Sequence, residues 1–230
     1  MIAFNRILAV LGLVLASTQA QAVPISFSFV SGLGSLTSGI GNSYTYTTSG
    51  VTLTATAWWT PYKGGGKSGN FQTATLSSDP LYGLGVCPTS SCATSTLDNA
   101  SGGSGMILFS FSSPVSLQAL NLQQFNTDSD LSLWAGTGSL NPLTKSPSKL
   151  NAATPFDNTN ALPGSRTVNL TSFSQTYNWI AVAASIGQLD DFAKLTSVTV
   201  TTPVPETATW VTMLAGVGLV GFRVRRRIRG

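Results

Sequence analysis

The strongest constraint on what this chain can fold into is a recurring two-residue period. Ile25-Ser26-Phe27-Ser28-Phe29 alternates apolar and polar side chains, and Val51-Thr52-Leu53-Thr54-Ala55-Thr56-Ala57 repeats the pattern. Successive side chains of an extended chain point to opposite faces, so this pattern marks half-buried strands. Met106 to Phe111 is apolar apart from Ser110, and Ser113-Pro114 is expected to turn it into a second strand, Val115 to Leu120. Leu131-Ser132-Leu133-Trp134 alternates again, and Thr167–Leu170, Tyr177–Ala184 and Leu195–Thr202 read as late strands. Nine or ten strands are predicted, and no long 3.6-residue period occurs outside the two ends. Antiparallel strands with one wet face give this pattern, and two such sheets bury their apolar faces against each other. The predicted fold is therefore all-β, a jelly-roll-like antiparallel β-sandwich. Thr137 to Ser165, rich in Pro, Asn and Ser, reads as one long loop.

Composition narrows the function classes. Charged residues are 9% of the 230, far below the roughly 25% of an average soluble protein. Ser (30) and Thr (29) supply the polarity instead. The absence of histidine excludes a Ser-His-Asp or Cys-His catalytic site, histidine-ligated zinc and a histidine pH switch. The formal charge of +4 is concentrated at one end: Arg223, Arg225, Arg226, Arg227 and Arg229 fall in the last eight positions. Between Val23 and Val204, six Lys/Arg face seven Asp, so the body is near neutral. Nucleic-acid binding needs a basic patch on the folded domain, and none is expected.

Both ends read as export signals. Residues 1–22 carry Arg6, an apolar run from Ile7 to Ala16, and Ala20-Gln21-Ala22. This is the layout of a secretory signal peptide with cleavage after Ala22. Residues 203–230 open with Pro203-Val204-Pro205-Glu206, which stop any preceding element. Thr207 to Phe222 then runs without a charge as far as the arginine cluster. As a helix it would be about 24 Å long, short of a roughly 30 Å hydrocarbon core. Trp210 at one interface and snorkelling arginines at the other make up the difference, and the arginines set the C-terminus in the cytoplasm. The chain thus divides into a signal peptide (1–22), a β-sandwich surface domain (23–202) and a tail with a transmembrane helix (203–230).

The order of features in the tail resembles the PEP-CTERM sorting signal. Pro205 and Glu206 match the first two motif residues, Trp210 begins the helix, and Arg223, Arg225, Arg226 and Arg227 lie in the terminal cluster. Thr207 stands where the second motif proline belongs. The resemblance implies an exported protein, tethered to the inner membrane and processed by signal peptidase and an exosortase. It implies delivery to the surface or extracellular matrix of a Gram-negative bacterium that makes exopolysaccharide, with a link to biofilm. Residues 82–200 also resemble a group of exosortase-dependent surface proteins. The carrying segments include Tyr82-Gly83-Leu84-Gly85-Val86, Leu97-Asp98-Asn99, Asp128 to Gly136, Trp179 to Ala184 and Asp190 to Leu195. That likeness implies a surface-exposed β domain without a known activity.

Few residues can carry chemistry. Cys87 and Cys92, a C-x4-C pair in an exported chain, are expected to form a local disulfide. Asp98-Asn99 and Asp128-x-Asp130 flank successive strands and could supply oxygen ligands to Ca²⁺. Turn chemistry explains the same residues, and Asp190-Asp191 reads as a turn before the last strand and a weaker ligand candidate. Gly64-Gly65-Gly66-Lys67-Ser68 lacks the first glycine of a phosphate loop, since Pro61 stands there. Trp58 and Trp59 are adjacent, so one faces outward and is a candidate sugar contact. No glutamate lies in the body and no catalytic residue is expected. The predicted function is a non-enzymatic surface or matrix protein; the alternatives are a carbohydrate-binding module and, more remotely, a glycan hydrolase.

Overall fold

The computed structural model describes residues 22–30, 43–61, 69–88, 95–98, 103–125, 128–150, 154–157, 162–185 and 191–203. Residues 1–21, expected to belong to a signal peptide, the tail from residue 204, Cys92 and Asn99 lie outside them. The alternating segments are strands. In chain order these are β1 (Pro24–Ser28), β2 (Ser43–Thr48), β3 (Val51–Pro61), β4 (Gln72–Thr73), β5 (Thr75–Asp79), β6 (Gly83–Cys87) and β7 (Leu97–Asp98). They continue as β8 (Gly103–Gln124), β9 (Leu131–Gly136), β10 (Thr154–Phe156), β11 (Gly164–Asn169), β12 (Thr176–Ala184) and β13 (Phe192–Thr201). These elements belong to one compact unit, Pro24–Thr202.

All the strand pairs are antiparallel, and the sheet runs β10-β9-β12-β8-β13-β6-β5. β8 is its spine. Residues 103–111 lie against β3, with β12 on the other side. Residues 116–124 lie against β13, with β11 taking the opposite side from residue 119. Both halves feed one core, Ile107 and Phe109 from the first and Leu120 and Leu122 from the second. The sheet therefore folds over on itself into a sandwich-like body. Aromatic contacts join the layers: Phe29, just beyond β1, stacks on Phe109 with centroids 5.3 Å apart and tilts against Tyr46 of β2 at 5.2 Å.

Three expectations are corrected. Thirteen strands occur among the described residues, more than the nine or ten predicted. Ser113-Pro114 does not separate two strands, because β8 is continuous through it. The register against β12 jumps between Tyr177↔Val115 and Trp179↔Ser110, so residues 111–114 bulge out of that ladder. Proline has no N–H to give, and a bulge asks for none. Finally, Thr137–Ser165 is not one loop: it holds 3₁₀ turns at Pro142–Thr144 and Pro147–Lys149, then β10 and the start of β11.

The two 3₁₀ turns have a role in packing. The first half of β8 and the end of β12 are buried on both faces. Ile107 and Phe109 face the main core, whereas Met106 and Leu108 join a second cluster with Phe71, Trp134, Leu150, Trp179, Ala181 and Ala183. The 142–150 stretch covers this cluster with Leu150 and is tied down by Phe71 N–H donating to the Lys145 carbonyl (2.9 Å). Trp179 lies over Gly136, where a Cβ would collide with the indole ring. Gly83 has φ +89° and packs against the Leu195 carbonyl, a position that only glycine fills without strain.

Phe109→Ala should lower unfolding free energy by about 3–5 kcal/mol, because it empties a fully buried aromatic site between the layers. Ser110→Ala, one residue on and exposed, should stay within about 0.5 kcal/mol. Urea denaturation of the two variants checks the assignment, and equal losses would contradict the facing of β8.

Candidate functional site

β8, β9, β11 and β13 converge on an acidic cluster. Asp128 and Asp130 precede β9 and Asp191 precedes β13. Asp128 and Asp191 form an isolated parallel bridge, and Phe192 N–H donates to the Asp128 carbonyl at 3.3 Å. This bridge brings together segments far apart in sequence. Asp130 N–H donates to Asp191 Oδ1 at 2.7 Å, and Ser129 N–H to Asp128 Oδ1 at 2.8 Å. One carboxylate oxygen from each of Asp128, Asp130 and Asp191 lies within 4.8 Å of the others. Asp130 is 3% exposed and Asp191 1%, while Asp128 is half-buried.

Arg166 of β11 closes the site. Its Nη1 donates to the Ser129 carbonyl at 2.8 Å and to Ser129 Oγ at 3.0 Å, and Ser129 Oγ donates in turn to buried Gln124 at 3.0 Å. Burial lowers the Arg166 pKa, while the fields of Asp130, Asp128, Asp157 and Asp191 oppose that shift. The guanidinium stays charged at neutral pH. The three carboxylates converge where solvent access is poor, and the Arg166 guanidinium lies in their field. Oxygens bound to one Ca²⁺ at 2.3–2.6 Å can lie up to about 5 Å apart, so this spacing suits a shared hard dication.

The cluster overlaps the four residues expected to bind calcium only in part. Asp128 and Asp130 converge as their spacing implied, and Asp191 joins them. Asp98 of β7 pairs with Phe192, the neighbour of Asp191, but its Oδ2 accepts from Thr96 Oγ1 at 3.0 Å and it is not one of the three. Asn99 lies outside the described residues. Trp58 and Trp59 do take opposite faces: Trp59 packs against the main core and Trp58 against the second cluster. Both are half-buried, and Trp58 Nε1 donates to Thr56 Oγ1 at 2.8 Å. Cys87 is buried and is not a free thiol, while Cys92 lies outside the described residues. Pro205, Glu206, Trp210 and the arginines of the tail also lie outside them. Among the described residues no helix is long and apolar enough to cross a membrane.

A second polar group sits at the β5–β6 turn. Lys194 pairs with Asp79 at 3.2 Å, and Tyr82 packs edge-on against Phe125 at 5.2 Å. Lys194 also lies 5.9 Å from the Phe125 ring centre. Partial desolvation would raise the Asp79 pKa, but the Leu81 N–H, the Lys194 ammonium and the Tyr82 N–H together hold it below its usual value.

The chain matches no family model, no curated protein and no solved structure.

A lowered folded pKa means that the contribution of Asp79 is complete above the unfolded carboxylate value of about 3.9 and is lost as pH falls through the lower folded value. Asp79→Asn should therefore cost about 1 kcal/mol at neutral pH, with the difference from wild type closing as pH drops below about 4. Urea melts of both proteins across pH 2–7 check this, and a gap that stays constant would contradict it.

Proposed function

We propose that the chain is an exported, non-enzymatic surface or extracellular-matrix protein, sorted by an exosortase through its C-terminal tail and associated with exopolysaccharide. The observation that carries the reading is where the folded unit begins and ends. The unit runs from Pro24 to Thr202, just inside the expected signal-peptide cut after Ala22 and just before Pro203-Val204-Pro205-Glu206. Its first and last strands pair with each other, Pro24↔Thr201 through Ser28↔Ser197. Removing both ends therefore leaves every described strand with its partners. The body is read as a jelly-roll-like β-sandwich, stapled locally by Cys87–Cys92.

The acidic cluster fits a structural ion better than a catalyst. Asp130 and Asp191 are almost wholly buried, and Asp191 Oδ1 accepts from the backbone N–H of Asp130. A glycosidase must present two carboxyls to opposite sides of an entering sugar. Calcium held by Asp128, Asp130 and Asp191 would pin the start of β9 to the start of β13. The carbohydrate-module alternative draws less support, because Trp58 and Trp59 both pack against core clusters.

Intact-mass spectrometry of protein from the native host, with surface and medium fractions kept apart, tests the sorting. A species running from Val23 to near Pro205 is expected. Retention of residues 206–230 in the inner membrane would overturn it. For the ion, about 10 mM Ca²⁺ against a dissociation constant typical of extracellular modules should raise Tm by about 3–10 °C. Asp191→Asn should abolish that rise, and equal shifts in Mg²⁺ or in the variant would remove calcium from the proposal.

A further inference from the structure

At the end of β11 a carboxamide is presented to solvent with its oxygen already hydrogen-bonded. Asn169-Leu170-Thr171 is one of two Asn-x-Ser/Thr triplets in the chain; the other, Asn99-Ala100-Ser101, lies outside the described residues. Asn169 is the last residue of β11 and is exposed. Leu170 is fully buried, and its N–H donates to the Gln118 carbonyl at 2.8 Å, which fixes the triplet to the body. Thr171 then folds back. Its backbone N–H donates to Asn169 Oδ1 at 2.9 Å and its hydroxyl donates to the same oxygen at 2.7 Å. Among the described residues nothing accepts a hydrogen bond from Asn169 Nδ2.

This arrangement bears on amide reactivity. A carboxamide nitrogen is a poor nucleophile because its lone pair is delocalised into the carbonyl. Two donors on Oδ1 stabilise the negative charge that gathers there as Nδ2 loses a proton, so the nitrogen is easier to deprotonate. The same two bonds orient the carboxamide and leave Nδ2 facing outward. The hydroxyl at the third position and a non-proline residue between are the chemical requirements of an Asn-linked glycan acceptor.

We propose that Asn169 is the acceptor of an asparagine-linked glycan, donated by an oligosaccharide carried on a polyprenyl diphosphate. The proposal rests on the export reading above, since a donor and transferase of this class act outside the cytoplasm. In the transfer, Nδ2 forms a bond to the anomeric carbon of the donor sugar. The bond from that carbon to the diphosphate oxygen breaks, and its electron pair leaves with the diphosphate. The Nδ2 proton passes to a base of the transferase, and no atom changes oxidation state. Thr171 is a positioning residue in this scheme, acting through Oδ1.

The test uses full-length protein expressed in its native host. Tryptic cleavage after Arg166 and Lys194 yields peptide 167–194, which holds Asn169 and no second such triplet. Its mass should exceed that of the bare peptide by a glycan, placed on Asn169 by fragmentation. Asn169→Gln and Thr171→Ala should both abolish the added mass, and Thr171→Ser should retain it. Urea melts of the variants, all altered at exposed positions, should remain single cooperative transitions and show that loss of the glycan is not loss of the fold. An added mass that survives Asn169→Gln would be hydroxyl-linked and would overturn the proposal. So would an unmodified peptide from protein whose mature N-terminus is Val23, and that result would leave export standing. Protein found only with residues 1–22 attached and inside the cell would overturn both, and the same spectra separate the two failures.

Discussion

The body depends on the backbone pairing of one strand. β8 spans 22 residues, and both its edges are occupied along most of its length. A strand flanked on both sides directs its N–H and C=O groups into neighbouring ladders, so it can be buried without orphaned polar groups. That permits a continuous run as apolar as Met106-Ile107-Leu108-Phe109 at the centre. At the bulge of residues 111–114 β8 exchanges β3 for β13 on one side, while on the other β12 continues to Ser116 before β11 takes over from Ala119. Pro114 occupies the stretch in which ladder hydrogen bonds are already broken. One long strand with one interruption thus generates both layers, and its far end delivers Gln124 to the acidic cluster.

Two-sided burial at the centre changes what the rest of the chain must do. A single core would leave Met106, Leu108, Ala181 and Ala183 facing water. The second cluster covers them with Phe71, Trp134, Trp179 and Leu150. Proline is well suited to this cover. Pro142 and Pro147 each begin a 3₁₀ turn, and Asn141 accepts from Leu143 N–H at 3.2 Å to start the first. The packing of three tryptophans in that layer follows from the same geometry.

The sequence made some of this legible and hid the rest for definable reasons. β1 and β3 were readable because their side chains alternate between unlike environments, whereas β9 alternates in residue type although residues 131–134 are all buried. The apolar runs of β8 and β12 were readable as strands, but not as strands buried on both faces, because periodicity vanishes when both environments are alike. The 137–165 region misled because Pro and Asn mark irregular backbone whether it is solvated or packed. At the acidic cluster, the two-residue spacing identified Asp128 and Asp130. Asp191 reads from the sequence as a turn residue and a weaker ligand candidate, and only the fold joins it to the pair, through a bridge to a residue more than 60 positions earlier. Asp98 was drawn in by type and neighbourhood, yet its carboxylate accepts from Thr96.

β11 links the acidic cluster to the glycan proposal through the same two-residue period. Arg166, Val168 and Leu170 turn inward, the first to Ser129 beside the carboxylates and the other two into the main core. Ser165, Thr167 and Asn169 turn outward and are exposed. The two sets cannot be exchanged, because a one-residue slip would place Arg166 in water and Asn169 in the core. The apolar anchors that hold Arg166 against Ser129 therefore also hold Asn169 at the surface. Leu170 sits between Asn169 and Thr171, so the residue that separates the two partners of the carboxamide hydrogen bond is the one locked into the core. On this strand the presentation of the carboxamide and the closing of the acidic cluster are consequences of a single register.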